Sequence, residues 1–451
     1  MNVTAIKPKK IAVIGAGISG LSCAWLLNRQ HQVTLYEKDD RLGGHANTIG
    51  FDLQGQNIDV DTGFIVYNPV NYPNLVAFFD YLQVPNCETD MSFAVSVNQG
   101  QLEYSGSGLA GLFAQKRNLI RPAFWRMLKD LNHFYRHAGQ IQQDAQTRQL
   151  SLRELLAELG YSDSFIYQHL LPMGAAIWST PVELMLDYPA ASFMRFCENH
   201  GLLQVKDRPQ WRTVIGGSQA YVSRVAADLE DIRLNSRIHR IIRQPGGVIV
   251  EDLHGGQEQY DDVVLACHSN QALAMLDSPS SAEQNLLGNM PYQRNQAYLH
   301  LDTNLMPKRR AVWSSWNYLA EGEQHQQQVA VTYWMNQLQP LNTETPVLVS
   351  LNPPTAPAQS SIIHSQFYDH PVFNQQALES QQKLWQLQGQ QNTWFCGAYF
   401  GYGFHEDGLQ AGLAVAEQLG GSHRPWIVPD ANSRIFTTAA KQAVREVLQH
   451  G

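Results

Sequence analysis

The run IAVIGAGISGLSCAWLL, which starts at Ile11, constrains this chain more than any other stretch. Four apolar residues precede its first glycine, and an apolar helical pattern follows its last. Gly15, Gly17 and Gly20 stand in G-x-G-x-x-G spacing, with Ala16, Ile18 and Ser19 between them. In a strand–turn–helix unit the first glycine makes the tight turn. The second lets backbone approach a pyrophosphate, and the third lets helix and strand pack closely. The helix N-terminus adds free N–H groups and partial positive charge. The pattern predicts a strand over 10–14, a helix over 19–28 and a strand over 33–37. Glu37 then falls where a carboxylate receives ribose hydroxyls, with Lys38 beside it. Such a βαβ opening needs both faces of its sheet covered. It suits a dinucleotide and does not by itself choose between NAD and FAD.

The next residues narrow the choice. Arg41, Gly43, Gly44 and Thr48 follow in EKDDRLGGHANT. This run resembles the R-x-G-G-R-x-x-T motif of the amine oxidase superfamily of flavoproteins, which includes phytoene-desaturase-like and protoporphyrinogen-oxidase-like enzymes. Together with PMGAAIWSTP (172–181), the likeness is to bacterial NAD/FAD-binding oxidoreductases of that superfamily. The resemblance implies FAD. His45 stands where the family has its second arginine, leaving Arg41 and backbone amides for the diphosphate. DVDTGFIVYN (59–68) resembles the stretch that runs along the flavin ring, implicating Thr62, Gly63 and Phe64. By the same likeness Ile238 meets the adenine through its backbone. The run from Cys396 to Leu419 resembles the closing motif, which places Gly397, Glu406, Asp407, Gly408 and Leu409 at the flavin. Tyr399 stands where the family often has an acidic residue for the ribityl hydroxyls.

The implied fold is α/β, a Rossmann-type FAD-binding domain of the glutathione-reductase-like kind. Its pieces are 1–75, 205–290 and 390–425. Two insertions, 76–204 and 291–389, form an α+β substrate domain. Residues 109–198 read as mostly helical. The stretch 290–390, with alternation such as VAVTYWM, reads as a mostly antiparallel sheet. A C-terminal helix is expected within 426–451.

The chain has 451 residues and a formal net charge of -8, a balance that argues against nucleic acid as a partner. Five scattered cysteines, with no C-x-x-C, read as reduced thiols. No run of 18 apolar residues and no signal-peptide pattern is seen, so a cytoplasmic location is expected. One segment, 109–139, departs from the acidic average. It carries Lys116, Arg117, Arg121, Arg126, Lys129 and Arg136 against Asp130, with Leu, Ile, Phe and Trp interleaved. That composition suits peripheral contact with the inner membrane.

A flavin accepts hydride at N5 from a carbon held over its ring, so the protein must position that carbon and exclude water. His405 is the candidate proton-transfer residue. Trp178, Tyr402 and Phe404 are candidate substrate walls, Phe404 matching a position where amine oxidases place a cage tyrosine. The expected reaction is dehydrogenation of an apolar or amphipathic small molecule or lipid, such as an acyl chain. The alternatives are amine oxidation to an imine or aldehyde with peroxide, and redox-neutral flavin isomerisation. No residue pattern identifies the electron acceptor or a metal site.

Overall fold

The computed structural model describes residues 7–178, 182–199, 202–203, 208–322 and 328–437. Lys10–Ile14 is the centre of a five-stranded, wholly parallel sheet. The order across it is Thr393–Phe395, Asp262–Leu265, Lys10–Ile14, Gln32–Tyr36 and Asp231–Arg233. The strands are short, and the inner ones are mostly apolar because helices cover them: Ile11, Ala12, Val13, Val263, Val264 and Leu265 are fully buried, whereas the edge strand Asp231–Arg233 is charged at both ends. The helix Ile18–Leu27 is buried along its whole length. Against it lies the closing helix His405–Gly420. Glycine makes that approach possible. A Cβ at Gly408 would come within 2.8 Å of Ser19 Oγ, and one at Gly412 would overlap Ser19 O.

A second, seven-stranded sheet runs Ile362–Pro371, Tyr292–His300, Leu348–Leu351, Gln328–Trp334, Trp316–Glu321, Phe93–Val97, Leu102–Ser105. It is antiparallel except where Phe93–Val97 pairs in parallel with Trp316–Glu321. The hairpin Thr48–Leu53 and Gln56–Asp61 lays Ile58 and Val60 against Leu299, Met335 and Val349 of this region. The helices between Gly108 and Asn199 form a lobe with its own core, including Phe124, Met127, Phe134, Phe165, Phe193 and Phe196. Among the described residues no helix is long and apolar enough to cross a membrane. All five cysteines are free.

Three details differ from the sequence reading. The antiparallel sheet takes two strands from 93–105, which periodicity alone could not assign to a partner 220 residues later. The segment 216–230, whose pattern reads as a helix opened by a glycine pair, holds a shorter one, Gln219–Ala226, because Gly216 and Gly217 both take positive φ. Residues 432–437 form turns and irregular chain rather than the start of a helix, and 438–451 lie outside the described residues.

Candidate functional site

The dinucleotide turn is built from backbone. Gly15 has φ +104, and a Cβ there would stand 2.8 Å from Ala266 O on the neighbouring strand. A Cβ at Gly20 would overlap Gly15 O, so strand and helix touch at that point. Gly17 differs from both: a Cβ there would meet nothing within 4 Å. It precedes a helix with no side-chain cap and no acid in its first turn. Uncapped N–H groups facing open space form a seat for a diphosphate.

The following loop closes over this turn. Gly43 N donates to Ala16 O at 2.8 Å, and Gly17 and Gly43 form a parallel bridge. Gly43 holds φ +108 and Gly44 φ +59, so the loop needs glycine at both. Arg41 is half-buried, and its guanidinium donates to Gly44 O at 2.9 Å and Ala46 O at 3.3 Å. It braces the loop as well as placing a positive charge beside it. Glu37 is buried and accepts from Ala16 N at 2.8 Å and Asp39 N at 3.0 Å. Glu37 N in turn donates to Arg233 O, and Ser236 N to Glu37 O, which brings the Ile238 stretch alongside. Ile238 is buried in the same core, whereas Lys38 is exposed.

The second wall begins at Thr62. Thr62 N donates to Asn47 O and Phe64 N to His45 O, while a Cβ at Gly63 would overlap His45 O. The second sheet reaches in here, for Tyr368 Oη lies 2.7 Å from Thr62 Oγ1 and accepts from Asn47 Nδ2 at 2.9 Å. Nearby, Asp61 is buried and accepts from Thr48 Oγ1, Ser218 N, Ser218 Oγ and Gln339 Nε2. Burial nonetheless raises its pKa to about 6.

His45 belongs to a group of half-buried histidines that sequence reasoning did not assemble. Its ring lies 5.9 Å from His268, 5.5 Å from His370 and 5.0 Å from Tyr368. Burial, chiefly, pushes His45 down to about 4 and His268, His370 and His405 each to about 3. His268 directly follows Asp262–Leu265 and Ala266–Cys267, at the carboxyl end of a parallel strand where ligands of such sheets bind. That position was the available signal. His370 and Tyr368 come from the distant sheet and gave none.

These depressed values fix a pH response. Each ring prefers its neutral form in the folded state, while the unfolded chain takes protons near the ordinary value of 6.5. Stability of the cofactor-free protein is therefore expected to fall as pH drops below about 6.5 towards the folded values. Melting curves between pH 7 and 4 should show His370→Asn losing stability less steeply than the parent. Equal slopes would reject this account.

At the closing helix the structure fixes the partners of three expected site residues. His405 stacks on Phe64 with centroids 3.7 Å apart, and its Nε2 lies 2.9 Å from Tyr221 Oη. Phe64 and Tyr221 thus fix the orientation of this ring, the expected proton-transfer residue. Glu406 is fully buried and accepts from Asn74 N, Asn74 Nδ2, Leu75 N and Gln410 Nε2. Asp407 accepts from Phe404 N at 2.8 Å and faces Arg434. Both carboxylates are committed to the fold, leaving backbone and the surfaces of Gly408 and Leu409 for a cofactor. Phe404 stacks on Phe196 at 5.0 Å and touches both the nucleotide core and the helical-lobe core, with Tyr402 edge-on to Phe196. The Trp178 side chain lies outside the described residues. Gly397 is packed under the ring of Tyr399.

Two orphaned atoms test the fit to FAD. Tyr399 Oη and His268 Nδ1 are buried with no hydrogen-bond partner in the described structure. Buried polar atoms seldom go unpaired. His268 follows Ala266 and Cys267, which Gly15 touches, and the Tyr399 ring lies over Gly397, itself beside Cys267 O. Hydroxyls of a ribityl chain would pair them, while Gly17 and the helix behind it suit the diphosphate. Among the described residues no group of three or more His, Cys, Asp or Glu could hold a metal ion.

Comparison with known proteins agrees. The cyclohexylamine oxidase of Brevibacterium oxydans IH-35A superposes with a TM-score of 0.65 at 15% identity, over 92% of this chain and 100% of that one. A fatty acid isomerase of P. acnes that produces CLA superposes with a TM-score of 0.62 at 16% identity, over 91% and 98%. At such identities the likeness is one of fold. An L-amino-acid oxidase of Bothrops jararacussu is 43% identical over 53 residues, only 12% of this chain and 11% of that relative's length. The sequence profile of the flavin containing amine oxidoreductases matches residues 18–420. The chain belongs to the flavin containing amine oxidoreductase family, and FAD is the cofactor its nucleotide site accepts.

Proposed function

We propose that this protein dehydrogenates an apolar or amphipathic substrate, with a fatty acyl chain the favoured class. FAD, when bound, supplies the acceptor for the hydride. The observation that carries the reading is the start of the closing helix. Phe404, Phe196 and Tyr402 form an aromatic wall between the two cores, while Glu406 and Asp407 are turned inward and spent on the fold. An alkylammonium entering there would lose its hydration without meeting either of these carboxylates. An acyl chain would lose only water, with about 25 cal/mol gained per Å² of apolar surface covered. The neutral rings of His45, His268, His370 and His405 support the same substrate class, since they add polar atoms without fixed charge. Phe64 and Tyr221 hold His405 still, and Tyr368 ties the Thr62 loop to the second sheet.

The test is anaerobic reduction of the purified holoprotein against panels of acyl lipids, polyenes and simple amines. Loss of the flavin absorbance band is expected with acyl lipids and not with amines. Rapid bleaching by an amine, with peroxide formed on admitting air, would replace this reading with amine oxidation. Product formation that consumes no oxidant would replace it with isomerisation.

A further inference from the structure

The helical lobe presents an outer face that neither the nucleotide site nor the aromatic wall uses. It is made by the short helix Gly108–Leu112, the 3-10 turn Lys116–Ile120 and the helix Pro122–Arg136. Four large apolar side chains stand out from it: Leu109 is 75% exposed, Leu119 50%, Ile120 83% and Trp125 50%. They are neighbours in space. Trp125 Nε1 donates to Leu119 O at 2.9 Å, and the Trp125 ring lies 5.6 Å from that of Phe113, whose N–H bonds Leu109 O. Single exposed apolar residues are ordinary on a protein surface, but a contiguous set marks a contact.

The charge around this set says what the contact is. Lys116, Arg117, Arg126 and Lys129 are exposed and Arg121 is half-buried, and none of the five is in an ion pair with a described acid. Asp130, the acid in this stretch, is held by Ser162 N and Ser162 Oγ. The chain as a whole is acidic, at -8, so a basic rim around apolar prongs is a local departure. Prongs that reach into hydrocarbon beside cations at headgroup level suit an interfacial bilayer contact. A protein partner would need an acidic surface with apolar pockets spaced to match, whereas a fluid bilayer conforms to any spacing.

We propose that this face, residues 108–129, docks on an anionic lipid bilayer. The opposite side of the same helix buries Phe124, Met127 and Phe134 in the core that contains Phe196, against which Phe404 stacks. The proposal stands on surface charge and exposure, and holds whichever substrate the wall receives.

Sedimentation of the holoprotein with vesicles tests it. Phosphatidylcholine–phosphatidylglycerol vesicles are expected to bind at least tenfold more tightly than phosphatidylcholine alone, with the difference shrinking at high salt. A triple variant, Lys116→Glu, Arg117→Glu and Arg121→Glu, is expected to lose roughly a hundredfold, at about fivefold per cation. Ile120→Asp should lose about tenfold on the anionic vesicles. Lys116, Arg117 and Ile120 are exposed, Arg121 is half-buried, and none belongs to the nucleotide core, so the flavin spectrum of each variant should match the parent and serves as the control for folding. Failure of the parent to sediment with anionic vesicles overturns the proposal, as does undiminished binding by the triple variant. So does a lipid-free, concentration-dependent dimer that Ile120→Asp abolishes, which would assign the face to a second copy.

Discussion

Gly17→Val should give a protein that folds normally and no longer holds FAD. The two halves of that result come from one observation. Gly17 has φ -72 and ψ 179, angles open to any residue, and a Cβ there has nothing within 4 Å. The isopropyl group therefore costs the fold little. It does occupy the space in front of the N-terminus of Ile18–Leu27, where a diphosphate must come within hydrogen-bonding distance. Loss of a hundredfold or more in FAD affinity, about 3 kcal/mol, is expected. Gly20→Val should behave in the opposite way, because any side chain there overlaps Gly15 O and forces the helix off the strand. Flavin fluorescence titration with melting of the apoprotein separates the two. If Gly17→Val bound FAD like the parent, the diphosphate seat would have to lie elsewhere.

The second large effect is on stability, at Glu406. Its carboxylate receives Asn74 N and Leu75 N, the second and third residues of the helix Pro73–Tyr81. These are helix-start N–H groups that have no partner within the helix, and Pro73 already fills the first position. Glu406 thus caps that helix from 331 residues away, with Asn74 Nδ2 and Gln410 Nε2 completing the set. Glu406→Ala leaves several donors buried without an acceptor, at about 1–3 kcal/mol for each left dry. A loss of about 3–5 kcal/mol in urea unfolding of the holoprotein is expected, which ranks among the largest single-residue effects. A loss below about 1 kcal/mol would mean that water enters the gap.

The same residue shows where sequence reading stops. Motif spacing correctly brought the segment HEDGLQ to the N-terminus of a helix beside the dinucleotide turn. It could not tell which way Glu406 and Asp407 point, because that depends on Asn74, Phe404 and Arg434 arriving from three other places. The parallel sheet was legible for a local reason. Its inner strands are short apolar runs bounded by glycine or by turns, and Val263–Leu265 shows this without any partner being known. The second sheet was legible as alternation between 290 and 390, but its order was not. The histidine group was invisible for the same reason. His45, His268 and His370 are separated by more than a hundred residues at each step, and only tertiary packing brings their rings within 6 Å.

The placement of the last strand has a consequence for how the chain is made. Lys10–Ile14 leaves the ribosome before the other strands of its sheet, yet that sheet is completed only by Asp262–Leu265 and then by Thr393–Phe395. At synthesis rates of roughly 5–20 residues per second, that is a delay on the order of 20 to 80 s. Throughout it, the edge of a very apolar strand and the bare side of the helix Ile18–Leu27 have no permanent cover. The nascent chain should therefore depend heavily on holding chaperones, and truncations that end before residue 393 should aggregate rather than yield a smaller nucleotide-binding unit.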